Sequence, residues 1–110
     1  MIGKIDIENV DRQYFEIMGK KDYTLVLRSK GTGHYWCLLE QVYNDCRFFQ
    51  ISHRHHATDA YHIQKSRPTI AGCCEYIRSH DAYHLKKERR KEERRQRRKE
   101  EKRKIRSLPR

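Results

Sequence analysis

The residues best suited to chemistry form one continuous C-terminal segment, in which charged side chains replace almost every other type. Residues 86–110 hold fifteen Lys or Arg and five Glu, a net charge of +10 out of +11 for the whole chain. Such a concentration of positive charge favours a polyanionic partner, most often nucleic acid. Nine of the fifteen are Arg, whose planar guanidinium matches phosphates and base edges, and Arg-rich segments commonly order on RNA. We call residues 86–110 the basic arm.

The predicted nucleic-acid contacts are the basic side chains of this arm. They are Lys86, Lys87, Arg89, Arg90, Lys91, Arg94, Arg95, Arg97, Arg98, Lys99, Lys102, Arg103, Lys104 and Arg106. The expected partner is nucleic acid, with RNA favoured over DNA, and a protein or ribonucleoprotein machine is the alternative. The five Glu keep two other interpretations open, namely an acidic protein as the partner and a solvated tail of mixed charge.

A polar stretch rich in histidine, residues 53–59, is predicted to be irregular and gives a second, weaker candidate. His53, Arg54, His55 and His56 are predicted as secondary phosphate contacts. The aromatic side chains of the predicted strands suggest a base-stacking surface as a further alternative, because sheets present aromatics to single-stranded RNA. Alternation along one strand places Trp36 on one face of the sheet, so only part of this set can face outward.

The four cysteines do not have the spacing of a metal site. They are Cys37, Cys46, Cys73 and Cys74, with no C-x-x-C pair among them. A zinc site would have to be assembled by the fold from Cys37, Cys46, Cys73 and a histidine. Cys37 could lie opposite Cys46 across a turn at Asn44–Asp45, and the histidine would come from the loop at residues 53–56. The expectation is reduced thiols, no metal ligand and no cofactor.

No catalytic motif is present, so the chain is predicted not to be an enzyme. A small metal-independent ribonuclease that uses histidine, tyrosine and arginine is the exception left open. The favoured function is RNA binding through the basic arm. One alternative is a small phage or mobile-element inhibitor of a nucleic-acid enzyme, similar in size and character to anti-CRISPR proteins, that binds the enzyme or its guide-RNA complex. The other is a ribosome-associated protein.

The secondary-structure elements that position these residues are predicted to form an α+β fold. A meander of about four antiparallel strands is predicted from alternating apolar runs separated by short turns. After Pro68, the apolar residues Ile70, Cys73, Cys74 and Ile77 fall at i, i+3, i+4 and i+7, which is one face of an amphipathic helix. We expect this helix to pack on the sheet and to continue into a long, solvent-exposed cationic helix, because the arm consists of strong helix formers.

The organisation expected from composition is a compact body over residues 1–85 followed by the arm over residues 86–110. The body carries eleven basic and ten acidic side chains, so it is almost neutral. Alternation at Ile5 and Ile7 predicts a short first strand, with both residues in the core. The N-terminus has no apolar signal-peptide region and no segment could span a membrane, which predicts a cytoplasmic protein.

Overall fold

A computed structural model describes residues 1–109 of the chain; Arg110, the last residue of the arm, lies outside the described residues. The elements in chain order are as follows: α1 (Lys4–Glu8), β1 (Phe15–Lys20), β2 (Thr24–Ser29), β3 (Tyr35–Tyr43), β4 (Cys46–Arg54), β5 (His62–Arg67) and α2 (Ile70–Arg106). The five strands form one antiparallel sheet in sequence order. The predicted α+β meander is confirmed, with five strands instead of about four.

The central hairpin sets the register of the sheet. Asn44 and Asp45 have φ angles of 50° and 61°, the backbone geometry of a two-residue turn that matches the twist of the flanking strands. From this turn β3 and β4 pair without interruption as far as Tyr35 opposite Arg54. The irregular segment predicted from His53 to Asp59 is therefore wrong at its start, because β4 continues to Arg54.

The core lies on one face of the sheet, where the strands present alternate residues. Leu25, Leu27, Trp36, Leu38 and Ile51 are each 0 % exposed. Helix α2 completes this core with the four apolar side chains whose i, i+3, i+4, i+7 spacing predicted a buried face. They are Ile70, Cys73, Cys74 and Ile77, and all four are buried in the same hydrophobic cluster. The prediction that this face of the helix is buried is confirmed.

The first element differs from the prediction, because Ile5 and Ile7 belong to helix α1 and not to a strand. Ile5 is 75 % exposed, so its predicted burial is wrong, while Ile2, which precedes the helix, is buried. Two isoleucines with one residue between them cannot distinguish a strand from a single helical turn. The carboxylate of Asp6 favours the helix over the strand, because it accepts a hydrogen bond from the Gly3 backbone N–H at 2.8 Å and so satisfies a free donor at the helix start.

An ion-pair network joins α1 to the central hairpin. The Arg47 guanidinium donates to Asp6 at 2.8 Å and 3.0 Å and to Glu40 at 2.7 Å, and the N-terminal amino group of Met1 lies 3.1 Å from Glu40. Hydrogen bonding to Arg47 holds the pKa of Asp6 below its usual value. Burial raises the pKa of Glu40, but Arg47 and the amino group outweigh it and the net direction is downward.

The chain divides into two compact units, Met1–Ser79 and His80–Arg110. The first contains the sheet, α1 and the beginning of α2. The second contains the rest of α2, from His80 to Arg106, and the residues that follow it. The boundary predicted between residues 85 and 86 was placed where the charged segment begins, which is not where these two units divide. That boundary stays a prediction.

Candidate nucleic-acid interface and histidine cluster

The basic arm is helical from Lys86 to Arg106, and all its described side chains are exposed. Its composition explains the helix, because Arg, Lys, Glu and Gln lose little side-chain freedom in this conformation. Ion pairs form one helical turn apart, at 3.6 Å from Glu88 to Lys91 and at 3.5 Å from Glu92 to Arg95. Glu93 and Arg97, whose i, i+4 spacing would also allow an ion pair, do not form one among residues 1–109.

The charges of the arm separate into two faces once the helix is drawn at 3.6 residues per turn. One half of the circumference carries ten basic side chains and a single acidic one, Glu101, a net charge of +9. We call this half the cationic face. Its basic residues are Lys86, Lys87, Arg90, Lys91, Arg94, Arg95, Arg97, Arg98, Lys102 and Lys104.

The other half of the circumference, the mixed face, has no net charge. It carries four basic and four acidic side chains between residues 86 and 106. These are Glu88, Arg89, Glu92, Glu93, Lys99, Glu100, Arg103 and Arg106. Of the fourteen predicted contacts, the helix therefore brings ten together on one side and leaves four, Arg89, Lys99, Arg103 and Arg106, among the glutamates.

The cationic face has the dimensions of an extended binding surface. From Lys86 to Lys104 it runs about 27 Å along the helix axis, at 1.5 Å per residue. The exposed aromatic ring of Tyr83 lies on the same side, next to a shallow hollow lined by Lys86, Lys87 and Arg90. A row of cations beside an exposed aromatic ring can hold a phosphate backbone and stack on a base.

The predicted secondary contact at the end of β4 does not form a single surface. His53 is only 5 % exposed and faces the core, so its assignment to a polar surface is wrong. His55 and His56 are exposed. Arg54 is half-buried on the opposite face of the strand, where its guanidinium carbon lies 4.3 Å from the ring centre of Tyr61. Any phosphate contact by these residues remains a prediction for His55, His56 and Arg54.

The fold instead gathers three histidines into one cluster. A nitrogen from each of His34, His53 and His55 lies within 4.8 Å of the others. The Nε2 atom of His53 is 3.0 Å from Nδ1 of His34 in a buried hydrogen bond. The ring of His55 stacks on that of His34, with centroids 4.1 Å apart and planes only 8° from parallel.

Strand register explains why these three meet, and the sequence contains a signal for it. His53 and His55 are two residues apart, so they lie on the same side of an extended chain. Since Trp36 pairs with His53 in the central hairpin, continuation of the same register places His34 opposite His55. The hairpin turn at Asn44–Asp45 fixes this register. Pairing the residues of the two strands one by one outward from the turn would therefore have predicted the cluster.

The histidine cluster is held from the core side. The indole of Trp36, which is 0 % exposed, stacks on His53 with ring centres 4.1 Å apart. Trp36 is itself fixed, because its Nε1 donates to Ser29 Oγ at 3.1 Å and its ring meets Tyr76 of α2 edge-on. His34 and His53 therefore have little freedom, whereas His55 lies just past the end of β4 and is exposed.

The cysteines take no part in this cluster, and the suggested pairing of Cys37 with Cys46 is wrong. Cys37 pairs with Ser52, and Cys46 pairs with Tyr43 next to the turn. All four thiols are free. Burial raises the pKa of Cys73 to about 12, which keeps that thiol protonated and unreactive at neutral pH.

The predicted aromatic platform is also divided between environments. Trp36 and Phe49 belong to the core, at 0 % and 1 % exposed. Tyr23 and Tyr43 are exposed but stand at strand ends, and Tyr35 is half-buried beneath the guanidinium of Arg54 at 5.2 Å. The sheet does not present these side chains as one stacking surface.

Comparison with known proteins gives no match: no protein-family model, curated protein or solved structure is similar to the chain. In the part of the chain that the structure describes, no helix combines the length and apolar character needed to cross a bilayer. Two features can support functional proposals on physical grounds. They are the cationic face of the arm and the cluster of three histidines.

Proposed function

We propose that this protein binds nucleic acid, RNA in preference to DNA, through the cationic face of its C-terminal helix. The observation that supports the proposal is the separation of charge around the helix, +9 on one half and zero on the other. A tail that serves only to stay solvated gains nothing from such separation. Glutamates spread evenly among the lysines and arginines would stabilise the helix by more ion pairs.

The form of the charge favours a phosphate polymer over an acidic protein patch. Ten cations spread along about 27 Å require a partner whose negative charge continues over that length, as a nucleic-acid backbone does. Half of the ten are Arg, which can bind phosphates and base edges with two parallel hydrogen bonds. The preference for RNA is supported by this arginine content and by the exposed ring of Tyr83 on the same side of the helix, since an exposed aromatic ring can stack on an unpaired base.

The neutrality of the mixed face gives the proposal a defined geometry. A helix surrounded by phosphates on all sides would gain from positive charge on its whole circumference. Here four of the five glutamates lie together on one half, and they would repel phosphates on that side. The proposed complex is therefore one-sided, with the cationic face against the nucleic acid and the mixed face toward solvent.

Two triple variants of the full chain test this geometry. The first, R90Q/R94Q/R98Q, removes three cations from the cationic face, and the second, R89Q/K99Q/R103Q, removes three from the mixed face. Both lower the net charge by the same amount, and none of the six side chains belongs to an ion pair in residues 1–109. Gln has a helix propensity similar to that of Arg and Lys, so both variants keep the helix.

Fluorescence anisotropy with a short RNA hairpin, a single-stranded RNA and a DNA duplex, measured over a range of salt, separates the possibilities. The loss of three phosphate contacts reduces the slope of log K against log salt by about 2 for a single strand, or roughly 100-fold in affinity at 0.1 M salt relative to 1 M. We expect this loss for R90Q/R94Q/R98Q and a much smaller one for R89Q/K99Q/R103Q. Equal losses of affinity in the two variants would contradict a one-sided binding face. A parent chain that shows no salt-dependent binding to any of the three nucleic acids would contradict the proposed function.

The alternative function, an inhibitor that binds a nucleic-acid enzyme, predicts a protein partner in place of a nucleic-acid partner. Purification of the chain with its partners, with and without nuclease, distinguishes the two. A stoichiometric protein that stays bound after nuclease treatment supports the inhibitor, and loss of all partners with nuclease supports direct RNA binding.

A further inference from the structure

The three histidines of the body are the second group of side chains that the fold brings together, and each carries a ring nitrogen of the kind that binds metal ions. Each contributes one ring nitrogen to a group no more than 4.8 Å across. We propose that His34, His53 and His55 form a binding site for one divalent transition-metal ion, with Zn²⁺ as the expected ion. The proposal is independent of nucleic-acid binding by the arm, because it involves no residue of the arm.

The distances are close to those that a bound ion requires. Zinc binds imidazole nitrogen at 2.0–2.1 Å, and a tetrahedral arrangement places two such nitrogens about 3.3–3.4 Å apart. Nε2 of His53 and Nδ1 of His34 are 3.0 Å apart. To replace their mutual hydrogen bond with two bonds to a metal, the nitrogens would have to separate by a few tenths of an ångström and the two rings would have to tilt until both lone pairs point at the ion.

His55 is the ligand that must move furthest. Its ring is nearly parallel to that of His34, so the nitrogen lone pairs of the two rings point along parallel lines and do not converge on one point. His55 is exposed and follows the last residue of β4, where its side chain can rotate without disturbing the sheet. The site would thus consist of two positioned ligands and one that closes on the ion from the solvent side.

The two inner ligands are already oriented. The stack of Trp36 on His53 fixes one ring, and the backbone on either side of His34 is held by two hydrogen bonds. The His34 N–H donates to Thr32 Oγ1 at 3.2 Å, and its carbonyl accepts from the Ser29 N–H at 3.0 Å. A ligand whose position is fixed by its surroundings loses less freedom on binding, which raises affinity.

The donor set determines the class of ion. Three imidazoles suit Zn²⁺, Cu²⁺ and Ni²⁺, whereas Mg²⁺ and Ca²⁺ prefer oxygen ligands. A site with three protein ligands keeps a fourth position for water, which is the arrangement of catalytic and not of structural zinc. Exposure of His55 gives the ion a path from solvent. We therefore expect the ion to bind to the protein after it has folded, and we do not expect folding to depend on the metal.

The test uses the full chain without a polyhistidine tag, stripped with chelator and then dialysed. Zn²⁺ is titrated by calorimetry, and emission from Trp36, the only tryptophan, reports directly on the ring that touches His53. The variants are His55→Gln and His56→Gln. Both residues are exposed neighbours, but only His55 belongs to the cluster, so the second variant controls for loss of a surface histidine.

We expect one Zn²⁺ per chain, with a change in Trp36 emission that saturates at the same ratio. His55→Gln should weaken binding by about 100-fold or more, since even loss of an outer partner of a metal ligand costs 10–100-fold. His56→Gln should bind as the parent does. Parent protein that takes up no zinc, or His55→Gln that binds as tightly as His56→Gln, would show that the three rings form only a hydrogen-bonded stack and would overturn the proposal.

Discussion

The packing of α2 on the sheet gives a stability prediction that the structure makes quantitative. Ile77 is 0 % exposed and lies in the hydrophobic cluster that also contains Leu25, Leu27 and Trp36. Ile77→Ala leaves the helix intact, because Ala is the best helix former. The substitution therefore measures the contribution of this one contact between helix and core.

The expected loss follows from what the substitution removes. Three buried carbon atoms at about 0.8 kcal/mol each give a transfer cost of about 2.4 kcal/mol. The cavity left behind adds to this, and measured values for such changes run from about 2 to 5 kcal/mol. The unit Met1–Ser79 has an expected total of ~4–12 kcal/mol at ordinary stability per residue. We therefore expect Ile77→Ala to remove a large fraction of it.

Urea unfolding followed by Trp36 fluorescence is the suitable assay. This signal comes from the core and is unaffected by the helical content of the arm. The matched control is Ile5→Ala, the same chemical change at a side chain that is 75 % exposed, for which we expect less than about 0.5 kcal/mol. In a thermal melt, a loss of 3 kcal/mol in a domain of this size corresponds to a drop in Tm of roughly 12–24 °C.

The refuting result is a midpoint for Ile77→Ala that matches that of Ile5→Ala, with an unchanged slope in denaturant. It would mean that α2 does not pack on the sheet through this face. A reduced slope would have another meaning, since it reports a change in the surface exposed on unfolding.

Two further predictions concern charge and thiol chemistry in the same unit. Because Asp6 and Glu40 have lowered pKa values in the folded protein, their ion pairs with Arg47 stabilise it above about pH 5 and lose that effect as the pH falls. Arg47→Met should thus flatten the dependence of stability on pH below that range, and a curve parallel to the parent's would contradict the network. Cys46 is exposed, whereas burial raises the pKa of Cys73 to about 12, so a disulfide reagent at about pH 8 should label Cys46 in the folded protein and Cys73 only in urea. Peptide mapping that finds equal labelling of both in native protein would refute this.

The sequence predicts the parts of the fold that depend on short-range patterns. The hairpin turn at Asn44–Asp45 is readable because few residues other than Asn, Asp and Gly tolerate positive φ. The buried face of α2 is readable because i, i+3, i+4 periodicity is a property of the helix itself. Both were confirmed at the level of individual side chains.

The sequence does not predict what depends on distant partners. Helix α1 forms where alternation suggested a strand, and its Asp6 is anchored by Arg47, which is 41 residues away. The histidine cluster depends on the pairing of two strands, so a search for metal ligands by local spacing passes over His34. The separation of charge on the arm is local, but it appears only when the helix is drawn residue by residue around its axis.

Charge on the cationic face also links binding to folding of the arm. Arg90, Arg94 and Arg98 follow one another at i, i+4, where like charges destabilise a helix by a few tenths of a kcal/mol per pair. A solvated helix of this length is only marginally stable, because it has no packed face to support it. In the proposed complex, a phosphate backbone along the cationic face would remove the repulsion among these side chains, so some of the favourable interaction with nucleic acid would go into completing the helix. If the proposed binding is correct, the arrangement that presents the cations on one side should therefore also make the helicity of the arm increase when nucleic acid binds.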